Sequence, residues 1–293
     1  MVRPAPLPVR DGLGPARVRL RGGGVLAELG DRFGPDMVAK ILAGGVVTAD
    51  GTVVDETTTL AAGASVYLYR DLPEETPVPF DIPVLHRDAD LVVVDKPHFL
   101  ATMPRGSHVA QTALVRLRRT LDLPELSPAH RLDRLTAGVL LFTTHRAVRG
   151  AYQQLFAAGQ VHKTYLACAP LDPELVLPHT VRNRIVKHRG RLQAEFEPGE
   201  PNAETLIELL EAGDGGGLYR LTPRTGRTHQ LRLHMAALGI PIDGDPLYPE
   251  VVDVPADDFS TPLALLAQHL EFDDPFTGAR RHFTSARRLS LQR

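Results

Sequence analysis

Apolar and polar residues divide the chain into a short helical stretch, a proline-rich gap and a longer, mostly strand-like region. From Val25 to Tyr69 the pattern predicts two short helices, Val25–Phe33 and Asp36–Ala43, then strands at Val46–Ala49 and Ser65–Tyr69 with the turn signal Asp50-Gly51 between them. Residues 1–20, rich in Pro and Arg without a sustained period, read as a mobile arm with one strand at Ala16–Leu20. Asp71–Pro83, with Pro73, Pro77, Pro79, Pro83 and the acidic pair Glu74 and Glu75, reads as a linker. The division expected from this is an arm (1–20), a small module (21–77) and a large domain (78–293). The large domain opens with the apolar strand Leu91–Asp95, Lys96-Pro97, a loop holding Met103-Pro104-Arg105-Gly106 and a helix at Gln111–Leu121. A strand at Val139–Phe142, a helix at Thr144–Ala158, a strand at Lys163–Ala169, hairpins over Thr180–Leu210, a strand at Leu218–Thr222 and a helix at Thr228–Leu238 follow, which is an α+β arrangement.

Composition narrows this picture by exclusion. No apolar run approaches the roughly 18 residues of a membrane span, and the N-terminus lacks the apolar core of a signal peptide, so a cytoplasmic location is expected by default. Cys168, the one cysteine, can form neither an internal disulfide nor a thiolate metal cluster; its apolar surroundings predict burial. The formal net charge of −2 is unevenly distributed: −4 over residues 1–100, +6 over 101–200 and −4 over 201–293. A polyanion senses the local field, so the basic middle is compatible with RNA, although a solvated charged face accounts for the same count.

Three strings could carry chemistry. His130-Arg131-Leu132-Asp133-Arg134 lies in a loop entering a buried strand, where two arginines beside a carboxylate would keep it ionised near a phosphate-bearing substrate. His162-Lys163-Thr164-Tyr165 alternates, placing Lys163 and Tyr165 on one strand face, from which a tyrosine can stack on a base. Gly226-Arg227-Thr228-His229-Gln230-Leu231-Arg232-Leu233-His234 opens a helix with Thr228 as N-cap, Gly239 as its stop, and His229 and Arg232 on one face. Taken singly, each has a plain structural reading: a loop ion pair, a core tyrosine, a solvated arginine. Gly22-x-Gly24-x-x-Ala27 is a poor dinucleotide fingerprint because the strand before it is too charged to be buried; His229 and His234, five apart on a helix, do not make a zinc pair.

Together the strings resemble a known family. The hairpin Gly45-Val46-Val47-Thr48-Ala49-Asp50-Gly51 after two short helices resembles the S4-like module of RNA-binding proteins, although only Arg32 and Lys40 are basic on the helix pair. From about residue 80 to the end, the chain resembles the RluA-type pseudouridine synthases. The family pattern runs "HRLD-x-x-T-S-G", "K-x-Y-x-A", "GR-T/S-HQ-I/L-R-x-H", then "P-I-x-GD-x-x-Y". This chain departs at Ala137, where Ser is usual, and at His98-Phe99 in the "KP-x-G-L" segment.

The resemblance implies a largely antiparallel mixed sheet flanked by helices, and isomerisation of uridine to pseudouridine in ribosomal or transfer RNA. It further implies a reaction that needs no cofactor and no metal; a monomer without membrane association is expected. By the same resemblance Asp133 is the catalytic carboxylate, acting on the ribose either as nucleophile or by proton abstraction, Tyr165 stacks on the flipped base and can assist proton removal, Arg232 pairs with Asp133, and Arg131 fills the space the base leaves. His130, Arg134, Lys163, Arg227 and His229 are expected to contact the RNA, joined by Arg105 and by Arg184, Lys187 and Arg189 of a basic hairpin, with Arg116, Arg118 and Arg119 extending that surface. The rival reading is a non-catalytic RNA-binding or ribosome-assembly protein on the same fold. Retention of Asp133, Tyr165 and Arg232 together argues against it, since binding alone needs no arginine-paired carboxylate.

Overall fold

Alternation decides what turns inward at the start of the chain. In the computed structural model, which describes residues 5–72, 74–214, 216–289 and 291, strand β1 (Ala16–Arg19) turns Ala16 and Val18 toward a core and leaves Arg17 and Arg19 exposed. Residues 1–4 of the expected arm lie outside the described residues. After β2 (Gly23–Gly24) come α1 (Val25–Phe33) and α2 (Pro35–Leu42), the second starting one residue earlier than expected because Pro35 sits at its first turn, where a missing N–H costs nothing. Strands β3 (Val46–Thr48), β4 (Thr59–Leu60) and β5 (Ser65–Leu68) complete the unit, with sheet order β1-β5-β3. Val25, Leu29, Ile41, Val46, Val66 and Leu68 are buried together. The strand at 16–19 is thus built into the module.

The chain divides into two compact units, Met1–Glu74 and Glu75–Arg293, three residues before the cut expected after position 77. The reason is local. The Glu75 carboxylate accepts hydrogen bonds from the backbone N–H groups of Val109, Ala110 and Gln111 at 3.0, 2.6 and 3.0 Å, and Val78 and Ile82 pack into the second unit's core.

The second unit is organised by β6 (Val84–Arg87), β7 (Leu91–Lys96), α3 (Ala113–Leu121), β8 (Ser127–Pro128), β9 (Ala137–Thr143), α4 (Arg146–Ala157) and β10 (His162–Ala169). It continues with β11 (His179–Asn183), β12 (Ile185–Val186), β13 (Glu195–Phe196), β14 (Ala203–Gly213), β15 (Gly216–Pro223), α5 (Gln230–Ala237), β16 (Leu265–Asp273) and β17 (Arg280–Thr284). The main sheet has the order β11-β14-β15-β10-β16-β9-β7-β6, with β17 on β16 and β8 on β9. Its described pairings are antiparallel except β16 with β9.

Strands β7 and β9 read as continuous apolar runs because both faces are covered. Val92, Val94, Leu140 and Phe142 face Ala113, Leu114 and Leu117 of α3, while Val93, Val139 and Leu141 face Val148 and Tyr152 of α4. Each such aliphatic side chain contributes roughly 1.5–3 kcal/mol by burial.

Two features were not anticipated. Strand β16 lies between β9 and β10 at the centre of the sheet, yet only its first part is uniformly apolar; Gln268, His269 and Glu271 break the run where the strand leaves β9 and pairs with β17. Helix α5 begins at Gln230, with His229 at its N-cap in the left-handed region (φ 58°), instead of at Thr228. Gln230 is the cause. Its Oε1 accepts from Thr225 Oγ1 and the Arg227 N–H at 2.7 and 3.0 Å, folding residues 225–229 into a turn ahead of the helix.

Candidate active site

The loop bearing Asp133 connects β8 to β9 and is held by its neighbours' backbone groups. The buried Thr102 hydroxyl donates to the Leu132 carbonyl at 2.8 Å and accepts the Leu132 N–H at 3.1 Å. Lys96, wholly buried, donates to the carbonyls of Pro97, Leu100 and Arg134 at 2.9, 2.8 and 3.3 Å. Burial pulls its ammonium down to about 7, against the opposing pull of Asp133. His98 Nδ1 lies 2.7 Å from the Leu135 carbonyl; a carbonyl only accepts, so the proton is on Nδ1. Beyond the loop, Gly138 has φ +114°, and a Cβ there would lie 2.2 Å from the Ala267 carbonyl oxygen. The glycine of the motif is where β9 passes closest to β16.

Asp133 faces a cleft of about 1010 Å³ whose walls include Arg131, Tyr165, Lys163, Arg227, His229 and Arg232. Tyr165 and Lys163 come from β10, two strands from β9 in the sheet. Burial, and next the charge of Asp133, hold the Tyr165 phenol above its ordinary range. Burial likewise lowers Lys163, whose Nζ donates to the Thr225 carbonyl at 3.3 Å.

Arg232 on α5 is 2% exposed, and its Nη1 stands 4.0 Å from Asp133 Oδ2. Asp133 is not its closest partner, however. Nε and Nη2 bind both oxygens of Asp245, at 2.8 and 2.5 Å, and Asp245 is only 1% exposed. Burial opposes the charge on Arg232, but the Asp245 bonds and the two carboxylates outweigh it and raise the group. Its guanidinium also lies 5.4 Å from the Tyr248 ring centroid. Tyr248, raised to about 12 chiefly by burial, contacts His229 Nδ1 at 3.0 Å and accepts the Ala194 N–H at 2.7 Å. Asp245 and Tyr248 belong to the Gly244-Asp245-x-x-Tyr248 string, so the signal for them was present in the sequence although no role was read from it.

Behind the cleft runs a buried polar chain. Gln230 Nε2 donates to Thr205 Oγ1 at 2.9 Å, which leaves that hydroxyl to donate to His234 Nδ1, also at 2.9 Å; His234 Nε2 then donates to Asn183 Oδ1 at 3.0 Å. Burial lowers His234 to about 4, in keeping with a neutral ring of fixed tautomer.

Several residues expected to contact RNA also bond within the fold. His130 accepts the Leu141 N–H on Nε2 at 3.2 Å and stacks on Phe156; burial lowers it to about 3, so it meets the cleft as a neutral ring. Arg134 is outside the cleft wall, lowered by burial and then by Arg232. Arg116 donates to the carbonyls of Val78 and Phe80 and Arg118 to that of Leu126, so both arginines support the fold, and Arg118 stands in the cleft wall as well. Arg119, on the same helix, adds nothing to the cleft wall. In the basic hairpin, Arg182 pairs with Glu204, His188 with Glu197 and Arg191 with Glu195, while Lys187 donates to the carbonyls of His188 and Arg191. The charges of Arg182 and Arg191 are thereby compensated by carboxylates, whereas Lys187 keeps its charge. Arg105, Arg184, Lys187 and Arg189 stand away from the cleft wall, whereas Arg131 and Arg227 are exposed on it.

Comparison with known proteins agrees with this geometry. A family model described as RNA pseudouridylate synthase matches residues 90–237, which take in Asp133, Tyr165 and Arg232. An uncharacterized RNA pseudouridine synthase of Synechocystis is 34% identical over 207 residues, 70% of this chain and 71% of the relative. Ribosomal large subunit pseudouridine synthase D of Xanthomonas campestris is 31% identical over 271 residues, 87% and 81% of the two chains. Among solved structures, human RNA pseudouridylate synthase domain containing 1 superposes with a TM-score of 0.57 at 26% identity, covering 73% of this chain and 86% of the other. By fold, motif and sequence similarity alike, the chain belongs to the RNA pseudouridylate synthase family and is an enzyme that converts uridine to pseudouridine in RNA.

Proposed function

We propose that Asp133 is the carboxylate that acts on the ribose of a uridine flipped out of a structured ribosomal or transfer RNA. The observation that carries this is the cleft uniting Asp133, Tyr165 and the buried Arg232, with Asp133 ion-paired at 4.0 Å and, among the described residues, no hydrogen bond donated to its carboxylate side chain. At that distance Arg232 leaves the Asp133 oxygens available to the sugar. Tyr165 offers a ring for the base, and because burial and Asp133 both disfavour its ionisation it meets the base as a neutral phenol with an O–H to donate. Arg131, exposed at the cleft, is placed to fill the gap in the RNA stack, and Lys163 and Arg227 to meet phosphates.

The helix, helix, hairpin order of the first unit supports reading it as the S4-like module. Among the described residues no helix is long and apolar enough to cross a membrane. That supports, together with an RNA substrate, action in the cytoplasm.

The test is release of tritium from RNA labelled at uracil C5, the position that loses its hydrogen when carbon replaces nitrogen in the bond to the ribose. Wild type should release tritium without added cofactor, and Asp133→Asn should bind the RNA with unchanged affinity and release none. Release by the variant at the wild-type rate would remove Asp133 from the chemistry.

A further inference from the structure

Arg232 stands between two carboxylates but hydrogen-bonds to only one. Its guanidinium is planar, with donors in a fixed fork. The edge formed by Nε and Nη2 is taken by Asp245, leaving Nη1 to face Asp133 at 4.0 Å. Asp245 is in turn fixed by its own turn: Oδ1 also accepts the N–H groups of Leu247 and Tyr248, at 2.8 and 3.2 Å. The turn requires Gly244, which has φ +70° and where a Cβ would lie 2.6 Å from the Pro262 carbonyl oxygen. The carboxylate is therefore presented to Arg232 by a rigid backbone.

We infer that Asp245 is a positioning residue for isomerisation: it holds Arg232 short of a direct bond to Asp133, so that the Asp133 oxygens stay free to engage the ribose. This rests on the reading of Asp133 as the catalytic carboxylate. Were Asp245 uncharged, Asp133 would be the nearest counter-charge for a guanidinium that has almost no access to water, and the 4.0 Å gap would close into a charge-assisted hydrogen bond. Asp133 would then have to break that bond before each turnover.

The experiment is single-turnover tritium release at saturating C5-labelled RNA, comparing wild type, Asp133→Asn, Asp245→Asn and Asp245→Glu, with RNA affinity measured in parallel. Asp245→Asn is expected to lower the rate constant about 30-fold, equivalent to about 2 kcal/mol at 1.36 kcal/mol per factor of ten, with RNA affinity within twofold of wild type. Rate constant and amplitude separate the explanations, because a residue needed only for folding reduces the reactive fraction and leaves that fraction's rate constant alone. Asp245→Glu keeps the charge that folding needs and lengthens the arm by one methylene. It should give full amplitude with a rate constant at least fivefold lower. Wild-type rate constants in both variants, or in Asp245→Glu alone if Asp245→Asn does not fold, would overturn the inference, as would a loss confined to RNA affinity. Activity in Asp133→Asn would instead show that the underlying assignment of the carboxylate is wrong.

Discussion

Replacing Thr205 with Val tests how the cleft is supported from behind. The substitution keeps the branched shape of a wholly buried side chain and removes one hydroxyl, so it opens no cavity. That hydroxyl accepts from Gln230 and donates to His234, both at 2.9 Å, and both partners are buried. Its loss leaves a Gln230 N–H with one acceptor fewer and a His234 nitrogen without its donor. Each unsatisfied buried group costs about 1–3 kcal/mol, so the expected loss is about 3 kcal/mol, a large part of a typical domain's stability. Because the chain has no Trp, guanidinium unfolding is best followed by circular dichroism. The midpoint should fall while the slope stays constant. Gln230 also ties down Thr225 and Arg227, so RNA affinity should weaken in the same variant. A loss below about 1 kcal/mol at unchanged slope would refute the claim that this chain of hydrogen bonds holds the loop.

Other outcomes follow from the same geometry. Gly138→Ala puts a Cβ 2.2 Å from a backbone oxygen in a strained φ region; it should cost about 3 kcal/mol or more by pushing β9 from β16, read as a fall in melting temperature or in soluble yield. His234 and His130 are held near 4 and 3 by burial, below the ordinary histidine value of 6.5. Below pH 6.5 the unfolded chain takes up protons that the folded chain refuses. Their contribution to stability is therefore complete above 6.5 and is lost as pH falls toward 4 and then 3, by up to about 1.4 kcal/mol per pH unit for each histidine. Melting temperatures measured from pH 7.5 down to 4.5 should drop accordingly, and less steeply in His234→Gln; a flat profile would contradict the neutral-ring assignment. RNA affinity should fall with salt, and Arg227→Ala should flatten the slope of log affinity against log salt by about 0.7, the share of one phosphate contact on a single strand. An unchanged slope would leave Arg227 out of the RNA surface.

The parts of the fold that were legible in the sequence are those where local pattern and tertiary environment agree. Helix α1 and the apolar strands β7 and β9 were readable because each run keeps one environment along its length. Strand β16 was not, since it changes partners midway and its polar second half follows a different neighbour. The start of α5 was misread because Thr228 has the right chemistry for an N-cap, whereas the actual constraint is the Gln230 side chain binding three residues back. Asp133, Tyr165, Lys163 and Arg232 line one cleft, and in the sequence only the joint resemblance of their three strings to one family linked them, since each string alone has a plain structural reading. His130 shows what spacing leaves out: it sits beside Asp133 in sequence and lines the same cleft, yet its ring also stacks on Phe156. Spacing along the chain reports the neighbourhood of a residue and not the direction of its side chain. The basic hairpin shows the same limit for charge, because its glutamate partners lie on the facing strand or further along the chain.

The central claim, that Asp133 acts on uridine in RNA within living cells, is tested most directly by mapping pseudouridine across all cellular RNA in a deletion strain carrying either the wild-type gene or Asp133→Asn expressed to the same level. Sites present with wild type and absent with the variant would bear out both the activity and its carboxylate, and would name the target RNA; identical maps from the two strains would contradict the account.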